Sequence, residues 1–185
     1  MKKIELVYRE ILDQKKKLTQ LELAKKLQIS LSTVNFAIKP LRDMGAIEVK
    51  LKNFSIVDYK KILYYCASIR NPHKDIIYQT RAEKPVAKIE SEMPSEVIFG
   101  AYSAYKFTFK DVPADYSEVY VYCEGIDEVQ KRFPKNNKIP NLFALKKDMF
   151  MRGKTTSLAH TFVDLWNLKE WYAKEFSDNL LIRLE

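Results

Sequence analysis

Glycine is scarce in this chain, 4 of 185 residues. That leaves no glycine-rich phosphate loop, and no Gly-x-Ser-x-Gly turn presents a nucleophile. Few glycines beside many lysines and isoleucines is the composition of a tight, heat-tolerant chain. Cysteine and histidine number 2 each. Cys66 and Cys123 lie far apart among apolar and aromatic neighbours, with neither a CxxC spacing nor a Cys/His cluster. A structural zinc site is therefore not expected, and two buried free thiols are. No apolar run approaches the ~20 residues that span a bilayer. Met1, Lys2 and Lys3 lead into a segment carrying Glu5, Arg9, Glu10 and Asp13, unlike the apolar core of a signal peptide. The expectation is a cytoplasmic protein.

What the chain does have is a lopsided charge. Lys+Arg number 32 against 24 Asp+Glu, a net charge of +8. Residues 1–70 hold 15 of the basic and 7 of the acidic side chains, and the remainder is balanced at 17 of each. A basic module joined to a neutral one is the electrostatic layout of a nucleic-acid reader with a separate partner or effector domain. Lysine-rich helices also simply solvate a surface, so the pattern inside the basic segment has to decide.

From Lys3 to Lys15 the residues Ile4, Val7, Ile11 and Leu12 share one helical face. Lys15, Lys16 and Lys17 interrupt that period. Thr19 and Glu22 are spaced as a capping box for a second helix, about Gln20 to Leu27, with Leu21, Leu23, Ala24 and Leu27 inward. Gln28-Ile29-Ser30 is a short turn, and Ser30 can cap a third helix, roughly Leu31 to Met44. Val34, Ala37 or Ile38, and Leu41 recur there at core spacing. Pro40 lies inside this helix and removes the amide that would bond the Phe36 carbonyl, so a kink is expected. Gly45 ends it as a left-handed cap. Ile47 to Leu51 and Phe54 to Val57 read as a hairpin turning at Lys52-Asn53. Helix, helix, recognition helix and hairpin form the winged helix-turn-helix order.

Three stretches carry a closer resemblance: "LAKKLQIS" from Leu23 to Ser30, "STV" from Ser32 to Val34, and "LRDMGAIE" from Leu41 to Glu48. Over residues 1–57 the chain resembles prokaryotic winged-helix regulators. The resemblance implies that the amino-terminal half of the third helix enters the major groove of double-stranded DNA. The candidate contact residues are then Ser30, Leu31, Ser32, Thr33, Asn35, Phe36 and Lys39, with Lys50 and Lys52 from the wing. Their chemistry fits. Asn35 can read adenine through a bidentate amide pair, the hydroxyls serve bases or phosphates, and Phe36 can touch a thymine methyl. Lys39, Lys50 and Lys52 would meet phosphates. Core packing or a dimer contact is the plain alternative for Phe36, and solvent exposure for Asn35 and Ser32. Lys15, Lys16, Lys17, Lys25 and Lys26 add charge on the same side and its flanks.

Asp58 can cap a helix from Tyr59 to about Arg70, with Ile62, Leu63, Cys66 and Ile69 as its stripe. Residues 58–71 are read as a linker helix or dimer interface, with core packing the equal alternative. Residues 72–185 read as a mixed α/β domain, so the fold class is α/β (α+β). Asp75 to Arg81 is extended or a helical turn, Pro85 to Glu92 a short helix, and Glu96 to Phe99 an apolar run. Tyr102 to Phe109 is a helix or an aromatic strand. Glu118 to Glu124 alternates as the best strand. Asp127 to Phe133 reads as helix, Asn141 to Lys147 as strand, and Thr155 to Trp166 and Leu168 to Leu184 as two terminal helices. Of the aromatic residues between Tyr102 and Tyr122, most are expected in the core, with the rest available to a partner.

Glu96 to Tyr105 resembles the strand–glycine–helix opening of nucleotidyltransferase-like domains. Thr156 to Trp166 resembles the terminal helices of abortive-infection (type IV toxin–antitoxin) antitoxins, which join a winged helix to such a domain. That resemblance implies an autoregulating antitoxin and a toxin partner. Nucleotidyl transfer needs a Gly-Ser cradle and paired metal-binding carboxylates. Here Ala101 follows Gly100, Glu118 and Glu124 stand at opposite ends of one strand, and no Asp-x-Asp occurs. No catalytic residue, cofactor or metal ligand is therefore assigned. His160 and Asp164, one helical turn apart, can hydrogen-bond as an orienting contact or, less plainly, a proton-handling pair. The expected function is a sequence-specific DNA-binding transcriptional regulator, homodimeric, with an effector or toxin at the second domain. The alternatives are an active nucleotidyltransferase with a winged-helix appendage and a winged-helix docking scaffold.

Overall fold

The computed structural model describes residues 1–14 and 17–184. Two compact units divide the chain, Met1–Arg70 and Asn71–Glu185.

The first unit comprises α1 (Lys3–Gln14), α2 (Gln20–Leu27), α3 (Leu31–Asp43), β1 (Ile47–Val49), β2 (Phe54–Ile56) and α4 (Tyr59–Ile69). Its core is built from Val7, Tyr8, Ile11, Leu12, Leu23, Leu27, Val34, Ala37, Ile38 and Leu41, all buried. Capping is local and complete at α2. The Thr19 hydroxyl accepts from the Glu22 amide at 3.0 Å, and the Glu22 carboxylate accepts from the Thr19 amide at 3.0 Å. Gln28, left-handed at φ 52°, ends α2. Gly45 (φ +68°) ends α3 in a Schellman pattern, with the Ala46 amide donating to the Leu41 carbonyl at 2.8 Å and the Gly45 amide to Arg42 at 2.9 Å.

β1 and β2 pair antiparallel, with Ile47 opposite Ile56 and Val49 opposite Phe54. Leu18 forms a separate antiparallel bridge to β2, exchanging backbone hydrogen bonds with Phe54 at 3.1 and 2.9 Å. Two expectations change here. Leu21 is 54% exposed; it lies about 200° around the helix from Leu23, off the face that Leu23, Ala24 and Leu27 define. α3 runs through Pro40 to Asp43, within a residue of its expected end. The helix expected to link the domains is integral to the first unit: α4 packs along α1 and buries Ile62, Leu63, Cys66 and Ala67. At its end the Arg70 guanidinium lies 3.3 Å from the Glu5 carboxylate, both sealed from solvent.

The second unit contains a short 3-10 turn (Pro72–Asp75), β3 (Ile76–Thr80), α5 (Val86–Ser91), β4 (Ile98–Phe99), α6 (Ala101–Phe109), β5 (Val119–Cys123), α7 (Asp127–Arg132), β6 (Leu142–Lys146), α8 (Leu158–Trp166) and α9 (Ala173–Leu184). The sheet order is β3-β6-β5-β4. β5 and β6 run parallel, joined through α7, while β3 and β4 are antiparallel to their neighbours.

β5 is buried at every residue, so its Val/Tyr alternation does not separate a dry face from a wet one. Val119, Val121 and Cys123 join Ile89, Met93, Val129 and Leu142 in one apolar cluster. Tyr120 and Tyr122 point to the opposite face, where their rings meet Tyr102 of α6 and His160 of α8. α8 starts later than expected, at Leu158 with Ser157 as its cap. Thr155 and Thr156 are extended instead, because Thr155 bridges to Phe99 and the Thr156 amide donates to the Phe99 carbonyl at 2.9 Å. α9 likewise begins at Ala173, not Leu168. Both cysteines are buried free thiols.

Candidate nucleic-acid interface

α3 divides by burial. Val34, Ala37, Ile38 and Leu41 face the core. Leu31, Ser32, Asn35, Phe36 and Lys39 face solvent, and Thr33 is half-buried. Phe36 is 70% exposed and Leu31 49%, so core packing is excluded for Phe36. No acidic residue occupies the first turn of α3, and the first carboxylate along it is Asp43. A phosphate approaching the amino-terminal half therefore meets the positive end of the helix dipole and no like charge.

Ser30 has a different job from its neighbours. Its hydroxyl accepts from the Thr33 amide at 3.2 Å and lies 3.0 Å from the Ser32 hydroxyl and 2.8 Å from that of Thr33. The three hydroxyls form one cluster at the helix entrance, committed first to capping. Ser32 and Thr33 are thereby oriented, while the Asn35 amide stands clear.

The wing carries its tip at residues 50–53, closed by a 2.7 Å hydrogen bond from the Lys50 amide to the Asn53 carbonyl. Lys50 is paired to Glu48 at 3.3 Å, with both side chains more than half exposed; such a surface pair is worth only ~0–1 kcal/mol and exchanges readily for a phosphate. Lys52 and Lys39 make no ion pair among the described residues and are exposed. Between the two wing lysines stands Leu51, 99% exposed. Sequence periodicity gave no role to Leu51. Its only signal is an apolar residue at a hairpin tip between two cations. Of the flanking lysines, Lys17 and Lys25 are exposed, Lys26 pairs with Glu10 at 2.5 Å, and Lys15 and Lys16 lie outside the described residues.

In the second unit His160 and Asp164 do come together, through a partner not foreseen. The Tyr122 hydroxyl donates to the Asp164 carboxylate at 2.6 Å and sits 3.0 Å from His160 Nε2, which is 3.4 Å from the same carboxylate. All three side chains are buried, so the cluster ties β5 to α8. Gly100 allows the close packing: a Cβ there would meet the Tyr122 ring at 3.0 Å. Glu118 and Glu124 are drawn apart, the first accepting from the Tyr172 hydroxyl and the second pairing with Lys147 at 3.6 Å. Among the described residues no three His, Cys, Asp or Glu side chains gather as a metal site, and no helix is long and apolar enough to cross a membrane. Burial pushes the Cys123 thiol up to about 11.

No curated protein and no solved structure gives a significant match to the chain. The likeness of the second unit to nucleotidyltransferase-like and antitoxin domains gains no support from these comparisons. The profile of the winged helix-turn-helix DNA-binding family matches residues 9–48, and the chain carries a winged helix-turn-helix DNA-binding domain at its amino-terminal end.

Proposed function

We propose that this protein is a sequence-specific transcriptional regulator that docks α3 in the major groove of duplex DNA. The observation that carries the reading is the carboxylate-free, solvent-facing row Leu31, Ser32, Asn35, Phe36 and Lys39 on a helix whose other side is locked in a core. Asn35 reads a base edge, Phe36 presses on a thymine methyl, and Ser32 and Thr33 serve bases or phosphates. Lys39, Lys50 and Lys52 take phosphates, and Leu51 is the apolar wedge of a wing reaching the minor groove. Two protomers on a two-fold site would double this footprint. The second unit serves a partner or effector by binding, not catalysis. An antitoxin that controls its own operator is the narrower form of this proposal, and a co-encoded toxin captured by the second unit would establish it.

The test is affinity of the full chain for a duplex across a salt series. Log K is expected to fall linearly with log salt at about 0.9 per phosphate contacted. A second reading rests on the exposed apolar side chains Leu21, Leu31 and Phe36, which also suit a protein-docking face. That scaffold would show weak, sequence-blind DNA binding, and Phe36→Ala would abolish protein capture without changing DNA affinity.

A further inference from the structure

The second unit holds a cavity of ≈ 690 Å³ beside α5 and α6, floored by Met93, Val97, Phe99 and Phe107. That volume falls in the ~300–1,000 Å³ range of small-molecule sites, where an apolar body is gripped and a few polar groups set its orientation. Three charged side chains line it: Glu90, Lys106 and Lys154. Two of them cancel. The buried Glu90 carboxylate accepts from Lys106 Nζ at 2.6 Å and from the Tyr116 hydroxyl at 2.5 Å. Lys154 is left over. It is exposed and makes no ion pair among the described residues, and its ammonium lies 5.0 Å from the centre of the Phe107 ring. Its backbone is fixed, since the Phe99 amide donates to the Lys154 carbonyl at 2.9 Å. One uncompensated cation is therefore held over an apolar floor continuous with the core cluster that includes Met93, Val97 and Phe99.

We infer that this cavity is a binding site for a small amphipathic carboxylic acid, its apolar body against Phe99 and Phe107 and its carboxylate on Lys154. The inference deepens the reading of the second unit as an effector unit and rests on that reading for its regulatory meaning. Calorimetric titration of the full chain with 4-phenylbutyrate, and with uncharged 4-phenyl-1-butanol, tests it. The acid is expected to bind at one site about tenfold more tightly than the alcohol, a charge contribution of ordinary size. Lys154→Glu should remove that preference and leave the alcohol unchanged. Ala87→Trp, which places an indole into the cavity from an exposed position, should abolish binding of both. Both substitutions are at the surface, and unchanged melting temperatures will show that the fold is kept. Absence of saturable binding, equal affinity for acid and alcohol, or acid binding unaltered in both variants would overturn the inference. No DNA enters the titration, so its failure leaves the DNA-binding reading standing, and the reverse holds.

Discussion

The Tyr8 hydroxyl donates a 2.9 Å hydrogen bond to the Ala37 carbonyl, joining α1 to α3 one residue beyond Phe36. Pro40 lacks the amide that would have bonded the Phe36 carbonyl, so this tie holds the helix next to its weakest turn. Tyr8 is fully enclosed. Tyr8→Phe should cost about 0.5–1.5 kcal/mol, the net worth of one buried hydrogen bond, read from urea denaturation. DNA affinity should fall only as far as α3 loosens.

Asn35 and Lys52 should separate specificity from affinity. Asn35→Ala removes a base-reading amide and should cost ~1–3 kcal/mol at one base-pair position, relaxing preference there alone. Lys52→Ala removes an exposed cation from the wing. It should weaken all sequences alike and lower the salt slope by about 1. Fluorescence anisotropy on a set of single-substitution duplexes distinguishes the two.

Tyr122→Phe should destabilise the second unit by about 1–3 kcal/mol, because it strips the buried Asp164 carboxylate of a 2.6 Å donor. DNA binding should be unchanged in the folded variant. Gly100→Ala should also destabilise, since its methyl would stand 3.0 Å from the Tyr122 ring. Chemical denaturation checks both.

Tyr102 and Tyr120 make the second unit sensitive to alkali. Burial first, and Glu170 next, raises both phenols above the ordinary tyrosine value. A pKa raised in the folded state gives stability that is fully present below the unfolded value of about 10 and is lost as pH rises beyond it. Stability should be level between pH 7 and 8, begin to fall as the buried Cys123 thiol's unfolded form ionises, and above about pH 10 fall further by up to ~1.4 kcal/mol per pH unit for each phenol. Denaturant midpoints from pH 8 to 11.5 measure this.

The first unit was largely legible because its signals are local. Thr19 and Glu22 are three residues apart, Ser30 caps its own helix, and Gly45 turns the chain where the apolar period stops. What could not be read depends on distant partners. Glu5 and Arg70 are separated by 65 positions, so their pairing, and with it the placement of α4 inside the unit, has no local trace. The same holds for Thr155 and Thr156, whose helical period yields to pairing with Phe99. The alternation of β5 marked a strand but not what packs on its tyrosine face, where Tyr120 and Tyr122 meet α6 and α8. On α3 the outward row that the winged-helix resemblance implied is exposed, apart from half-buried Thr33. The resemblance did not show that the Ser32 and Thr33 hydroxyls gather on the capping Ser30 or that Glu48 reaches Lys50.

If α3 reads base sequence as proposed, its exposed side chains decide which duplex is bound. Selection of duplexes from a randomised library by the full chain, in parallel with Asn35→Ala, tests it most directly at physiological salt. The expected result is one enriched motif bound at least ~10³-fold more tightly than random duplex, with the Asn35→Ala protein losing preference at a single position of that motif. Recovery of no motif, or of the same motif with undiminished preference by Asn35→Ala and Phe36→Ala alike, would contradict it.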